Sequence, residues 1–218
     1  MNKTVEEALD LVKQLKASIS TVEGVEVAIA PPFTALYAIR KEIEGSSIRL
    51  AAQNVFYEKK GAYTGEISPL MLKEVGCQYV IIGHSERRHF FGETDETVNR
   101  KIRAVLSQDL EVIFCVGETL KEREEGKTFW VIGSQLEEGL KGFEKKQIGH
   151  MVIAYEPVWA IGTGKTATPE QAEEVHRFIR EQLEKLYSRE IAGERRCSNA
   201  WSGSFRRDRV GSFGKGRT

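Results

Sequence analysis

His84 and Glu156 are the residues whose types and places best suit chemistry. His84 follows the apolar run Tyr79-Val80-Ile81-Ile82 and a glycine, and Glu156 directly follows Met151-Val152-Ile153-Ala154-Tyr155. An imidazole and a carboxylate facing one pocket make an electrophile and a base, a pair fit to move a proton next to a carbonyl. Each residue also has a plainer reading. A strand-end histidine often only satisfies a hydrogen bond, and a glutamate before proline can cap a turn. Ser85, Glu86, Arg87 and Arg88 crowd behind His84. Glu86 can orient a site there, or form an ordinary ion pair with either arginine.

The stretch Pro157-Val158-Trp159-Ala160-Ile161-Gly162-Thr163-Gly164-Lys165-Thr166 lies between a strand pattern and a helix pattern. Trp159 and Ile161 are too apolar for an idle surface loop. Gly162 and Gly164 free the backbone to bring N–H groups to an anion. The segment reads as a mobile lid closing on a phosphate. Two nucleotide-binding patterns fail here. The Walker pattern needs glycine five residues before Gly164 and finds Trp159. The glycines of Gly162–Ala167 stand well beyond the strand end and open no helix directly. The charge run Lys121–Glu125 reads as a solvated segment.

These residues need a frame. Thr4 and Glu7 form a capping box, and Ala8, Leu9, Val12 and Leu15 follow at helical spacing. Strand patterns come at Val25–Ala30, Ile48–Ala52, Tyr79–Ile82, Glu111–Val116 and Met151–Tyr155. Helical patterns stand between them, over about 34–44, from Ser68-Pro69, over 95–107 and over 128–142. The last helix opens with Thr168-Pro169-Glu170-Gln171, a cap with proline in the first turn. Nearly continuous apolar strands alternating with helices predict a parallel sheet covered on both faces. Either a doubly wound sheet or a (β/α) barrel satisfies that pattern. In both, chemistry sits at the carboxyl ends of the strands. Gln53-Asn54, His84-Ser85-Glu86, Gly117-Glu118 and Glu156 all fall there.

The 218 residues are 40% hydrophobic, with 32 Lys+Arg against 32 Asp+Glu. That composition excludes a disordered chain, and no apolar run approaches the ~18 residues of a membrane span. Cys77, Cys115 and Cys197 are too few and too scattered for a disulfide scaffold or a zinc site. With no signal peptide visible, a cytoplasmic place is expected. Residues 193–218 carry seven Lys/Arg against two acids, with five glycines and Val210 as the only Ile, Leu, Val or Met. So poor a segment cannot offset the entropy of ordering its backbone. The expectation is one domain over 1–192 and a basic, disordered tail over 193–218. Trp201 and Phe205 in that tail can stack on bases, but the composition fits equally a sequence never selected to fold, and no nucleic-acid partner is expected.

The stretches Ala30-Pro31-Pro32, Ala51-Ala52-Gln53-Asn54, Gly61-Ala62-Tyr63-Thr64-Gly65-Glu66, Ile82–Arg88, Cys115-Val116-Gly117-Glu118 and Ala154–Thr166 run in order over roughly 1–192. As an ordered set they resemble the triosephosphate isomerase family. The resemblance implies a TIM (β/α)8 barrel. It implies interconversion of glyceraldehyde 3-phosphate and dihydroxyacetone phosphate in glycolysis and gluconeogenesis, without cofactor or metal. Carried over, Glu156 is the base that shuttles the proton, and His84 is a neutral imidazole polarising the carbonyl. Glu86 resembles the acid supporting the site, and Ser85 follows the histidine as in the family. Residues Pro157–Thr166 resemble the lid, with the Gly162 N–H among the phosphate donors. The loop around Tyr63-Thr64-Gly65 resembles one that inserts into a partner subunit, which implies a homodimer.

The sequence departs from the family at both ends. The family's catalytic asparagine and lysine precede the position of Met1, and Lys3 is no substitute. After Ala192 the family's Gly-Gly-Ser and Gly-Gly phosphate segments do not follow. Strands 1, 7 and 8 of the barrel are therefore expected to be missing. A start placed too far downstream and a frame shift after about Ala192 account for that pattern. The chain as written is expected to be aggregation-prone and nearly inactive, an inactive barrel remnant being the alternative to an active isomerase.

Overall fold

The structure, a computed structural model, describes residues 2–19, 24–160, 167–187, 197–201 and 204–207, the last two stretches by their backbone. Helix α1 spans Val5–Ile19, opened by the Thr4–Glu7 box: the Thr4 N–H donates to Glu7 Oε2 at 2.8 Å. Strand β1 is Ala28–Ile29, and a 3-10 turn at Phe33–Ala35 leads into α2, Leu36–Glu42. Next come β2, Arg49–Ala52, and α3, Pro69–Val75, whose Ser68 cap accepts from the Met71 N–H. Strand β3, Tyr79–Ile82, is followed by α4, Ser85–Phe91, and α5, Asp95–Leu106. Strand β4, Glu111–Val116, precedes α6, Leu120–Glu124, α7, Thr128–Gly139, and α8, Lys145–Ile148. Strand β5, Met151–Tyr155, leads to a 3-10 turn at Val158–Ala160 and then to α9, Pro169–Leu186.

The strands lie side by side in chain order, and the steps from β1 to β5 are all parallel. A doubly wound sheet reverses its strand order at a switch point; this one never does. Sequential order puts all the crossovers on one face and lets the sheet curl, which is the wall of a (β/α) barrel.

Side-chain alternation sorts the core into two layers. Val80, Ile82, Val112, Phe114, Val116, Ile153 and Tyr155 face the helices, where they join Ile102, Ile132, Leu136 and Ile179 in the larger cluster. Tyr79, Ile81, Ile113, Cys115, Val152 and Ala154 form a smaller cluster on the opposite face. Both faces of β3, β4 and β5 are thus apolar, which is why the strands read as continuous apolar runs.

One expectation is corrected and two features are added. The first strand was expected over Val25–Ala30, but only Ala28 and Ile29 pair, against Arg49 and Leu50. Helices α4, α6 and α8 have no counterpart in the sequence reading; at four to seven residues each, they are too short for a periodic apolar face. Beyond residue 192, Cys197–Trp201 forms β6 and Ser204–Arg207 forms β7. β6 pairs parallel with β5, and β7 pairs antiparallel with β6. Ladder pairing uses backbone groups, so an open strand edge can recruit a segment poor in aliphatic side chains.

Candidate active site

The site gathers at the carboxyl ends of β3, β4 and β5. Gly83 leaves β3 with a φ of 76°, a conformation natural to glycine, and a Cβ there would sit 3.0 Å from the Cys115 carbonyl oxygen. The chain then turns into α4, with His84 as its N-cap. The Glu86 N–H donates to His84 Nδ1 at 3.2 Å. At the end of β4, a Cβ on Gly117 would lie 1.8 Å from the Glu156 carbonyl oxygen, so glycine alone allows the two strand ends to close up. The side chain of Gln135, from α7, bonds Gly117 through both its N–H and its carbonyl, at 2.8 and 3.1 Å.

These turns bring the two sequence candidates together. His84 Nε2 lies 3.0 Å from Glu156 Oε1. The Glu156 side chain is 2% exposed, and its other oxygen, Oε2, accepts from the Ser85 N–H at 2.9 Å. Oε1 makes no aligned hydrogen bond among the described residues. A buried carboxylate oxygen without a hydrogen bond is costly, and such atoms mark functional sites.

Opposed influences act on the imidazole. Burial disfavours its charged form, while the contact with Glu156 and the charges of Glu156, Glu86 and Glu93 favour it and together raise its proton affinity. The Glu86 N–H aimed at Nδ1 works against a second proton, because a protonated Nδ1 would face a donor. With Nδ1 accepting from the Glu86 N–H, Nε2 is left to carry the proton that faces Glu156. The Cys115 thiol lies beside the same carboxylate. Burial first, and then the Glu156 charge, push its pKa well up, so it stays a neutral thiol.

Ser85 contributes its backbone N–H, and Glu86 contributes its N–H rather than its carboxylate. The Glu86 side chain is 65% exposed, with Oε2 4.0 Å from His84 Nδ1. The ion pair weighed between Glu86 and the adjacent arginines is replaced by others. Arg87 Nε donates to Glu93 Oε2 at 2.9 Å, and Arg88 bonds Asp95 Oδ1 at 2.6 Å and the Gly83 carbonyl at 2.8 Å.

Of the lid candidates, Pro157, Val158, Trp159 and Ala160 are described; Ile161, Gly162, Thr163, Gly164, Lys165 and Thr166 lie outside the described residues. Trp159 is buried, and its Nε1–H donates to Glu118 Oε1 at 2.9 Å. Glu118 also accepts from the Tyr155 hydroxyl at 3.1 Å and from Arg123 at 2.8 Å, and the Arg123 guanidinium lies over the Trp159 ring. Burial and the neighbouring Glu118 push the Tyr155 hydroxyl up, so it remains a donor. The charge run Lys121–Glu125, read as idle, thus sends Arg123 inward to this anchor.

Two site residues escaped the sequence reading. Glu93 and Lys101 are both nearly buried, and Lys101 Nζ contacts Glu93 Oε2 at 2.5 Å and Asn54 Oδ1 at 2.8 Å. Glu93 also accepts the Gly83 N–H at 2.8 Å. Burial raises the Glu93 carboxyl, but Lys101, Arg87 and the Gly83 N–H outweigh it and hold it below the ordinary value. Lys101 gains less from the pair. Burial lowers its pKa, attraction to Glu93 offsets only part of that, and Arg87 adds to the lowering. No sequence signal separates these two from surface charges, because burial is a tertiary property.

A profile of one known family, triosephosphate isomerase, matches residues 1–197. The chain belongs to the triosephosphate isomerase family. It is 58% identical over 187 residues to the triosephosphate isomerase of Endomicrobium trichonymphae, covering 86% of this chain and 75% of that one. It is 53% identical over 210 residues to that of Carboxydothermus hydrogenoformans, covering 96% and 83%. A third relative, the triosephosphate isomerase of Caldanaerobacter subterraneus, is 51% identical over 213 residues, covering 98% and 85%. The triosephosphate isomerase profile therefore runs past Ala192, where the resemblance was expected to stop.

Proposed function

We propose that the chain is a triose-phosphate isomerase, interconverting D-glyceraldehyde 3-phosphate and dihydroxyacetone phosphate through an enediolate. The observation that carries this reading is the buried, unbonded Glu156 Oε1 lying 3.0 Å from His84 Nε2. A substrate that displaces this direct contact presents its carbon-bound proton to Oε1 and its carbonyl oxygen to the Nε2–H. Glu156 takes the proton from one carbon and returns it to the neighbouring carbon. His84 donates a hydrogen bond to the oxygen on which charge develops and relays the hydroxyl proton from one substrate oxygen to its neighbour, so that the ring ends the cycle in the state in which it began. Ser85, through its N–H on Oε2, fixes which carboxylate oxygen faces the substrate. Trp159, clamped by Glu118, Tyr155 and Arg123, anchors the start of the lid Pro157–Thr166. The Gly162 N–H is assigned to the substrate phosphate. Closure of that lid excludes the water that would otherwise promote loss of phosphate from the enediolate.

The substrate is a small phosphorylated triose, and the reaction assigned needs neither cofactor nor metal. No described helix is long and apolar enough to cross a membrane. A cytoplasmic place accords with the central metabolic reaction proposed. The homodimer belongs to the same reading. Tyr63, Leu70, Met71, Phe90 and Phe91 are all exposed, on the loop after β2 and on α3 and α4, and large exposed apolar side chains favour a partner surface. Light scattering on the purified chain is expected to give twice the mass of 24.6 kDa. A strictly monomeric mass would refute the dimer.

The alternative of an inactive remnant finds no support in the family match or in the assembled His84–Glu156 pair. Glu156→Gln provides the decisive test. Removing a general base costs on the order of 10³-fold in kcat, with the fold retained. Equal turnover by the Gln variant, or none by the parent chain, would reject the reading.

A further inference from the structure

We infer that Glu93 is a positioning residue for His84, acting through the backbone of Gly83. This rests on the function proposed for His84. The Gly83 N–H donates to Glu93 Oε1 at 2.8 Å, and the Gly83 carbonyl accepts from Arg88 Nε at 2.8 Å. These two bonds flank the Gly83 α-carbon, so they fix both of its torsions and with them the direction in which the chain enters His84. Their other ends lead to one place. Glu93 stands two residues before Asp95, and Asp95 holds Arg88 at 2.6 Å. The turn that carries His84 is therefore suspended from the connection between α4 and α5.

Glu93 is itself held from three sides. Arg87 reaches it from α4 and Lys101 from α5, and Lys101 continues to Asn54 after β2. The Glu93 side chain is 2% exposed, and that of Lys101 is 8% exposed. A buried pair of this kind is weak evidence for stability, since an apolar pair of similar volume often serves as well. What an apolar pair cannot supply is an acceptor for the Gly83 N–H. The carboxylate thus adds placement. Catalysis is sensitive to placement, because an error of about 1 Å in a reacting group can cost on the order of 10²-fold in rate.

The test separates placement from stability. Three purified full-length variants are compared with the parent: Glu93→Leu/Lys101→Met, Glu93→Gln/Lys101→Met and Arg87→Gln. Readouts are kcat and KM for the triose phosphate, the 15N signals of the His84 imidazole, and the melting temperature. The Leu/Met variant leaves the Gly83 N–H without an acceptor. It is expected to lose roughly 30-fold in kcat, with KM within about threefold, and to shift the His84 signals. The Gln/Met variant keeps an uncharged acceptor and is expected to recover most of that loss. A purely stabilising role predicts a lower melting temperature with kcat and the His84 signals unchanged in the folded Leu/Met protein; that result overturns the inference. Equal losses in the Gln and Leu variants overturn it too, because they assign the effect to charge. If neither double variant folds, Arg87→Gln decides at its partly exposed position. Loosening Glu93 is expected to move the His84 signals the same way, and unchanged signals overturn the inference. If the parent shows no turnover, the proposed function fails, while the His84 signals still decide the role of Glu93.

Discussion

A single proton defines the chemistry at His84. Its ring is pulled toward a second proton by the carboxylates of Glu156, Glu86 and Glu93, and away from one by burial and by the Glu86 N–H on Nδ1. The N–H contact is local and directional, whereas the Glu86 carboxylate stands largely in water, where its field is screened. The proposed mechanism requires the neutral Nε2–H tautomer near pH 7, readable from the 15N shifts of the two ring nitrogens. A doubly protonated ring at that pH would show that the carboxylates win. His84 and Glu156 were legible in the sequence because each ends an apolar strand. The work of Ser85 and Glu86 was not, because it is done by backbone N–H groups whose direction only the turn into α4 sets.

Among the elements, the ends of β4 and β5 place Glu156, the proposed base. Gly117 permits their close approach, and the Gln135 side chain ties β4 to α7 at the same residue. Gly117→Ala would put a methyl group 1.8 Å from the Glu156 carbonyl oxygen, so the strand ends must part. Overpacking of that kind costs about 1–3 kcal/mol, and here it also displaces Glu156. We expect a lower urea midpoint together with at least a tenfold loss of kcat. Unchanged kinetics in Gly117→Ala would show that the closeness of the strand ends is incidental. The helix boundaries were easier to read. The boxes at Thr4 and Thr168 form as their spacing indicates, because capping is settled within four residues. The pairing of β6 and β7 was not legible in the sequence, since it depends on an edge supplied by β5.

For the whole molecule, acid stability should carry the mark of one buried group. The Glu93 carboxyl is held below its ordinary value of 4.5. A depressed carboxyl contributes stability that is present above the unfolded value and is lost as pH falls through the folded one. The expected result is a fall in unfolding free energy below about pH 4.5 that is shallower in Glu93→Gln/Lys101→Met, measured by urea melts from pH 7 to pH 3. Parallel curves for the two proteins would assign the acid sensitivity to other groups.

The sequence by itself determined the class of fold, because apolar periodicity, caps and strand punctuation act over a few residues. It also named His84 and Glu156 as the pair to watch. It left open whether the sheet was doubly wound or barrel-like, since both arise from the same alternation of elements; the order of pairing across the sheet decided that. The tertiary structure alone brought His84 Nε2 within 3.0 Å of Glu156 across 72 positions of chain, and buried Glu93 against Lys101 and Gly83. Distances of that kind depend on how whole elements pack, and burial turns an ordinary charged residue into one whose partners fix a turn.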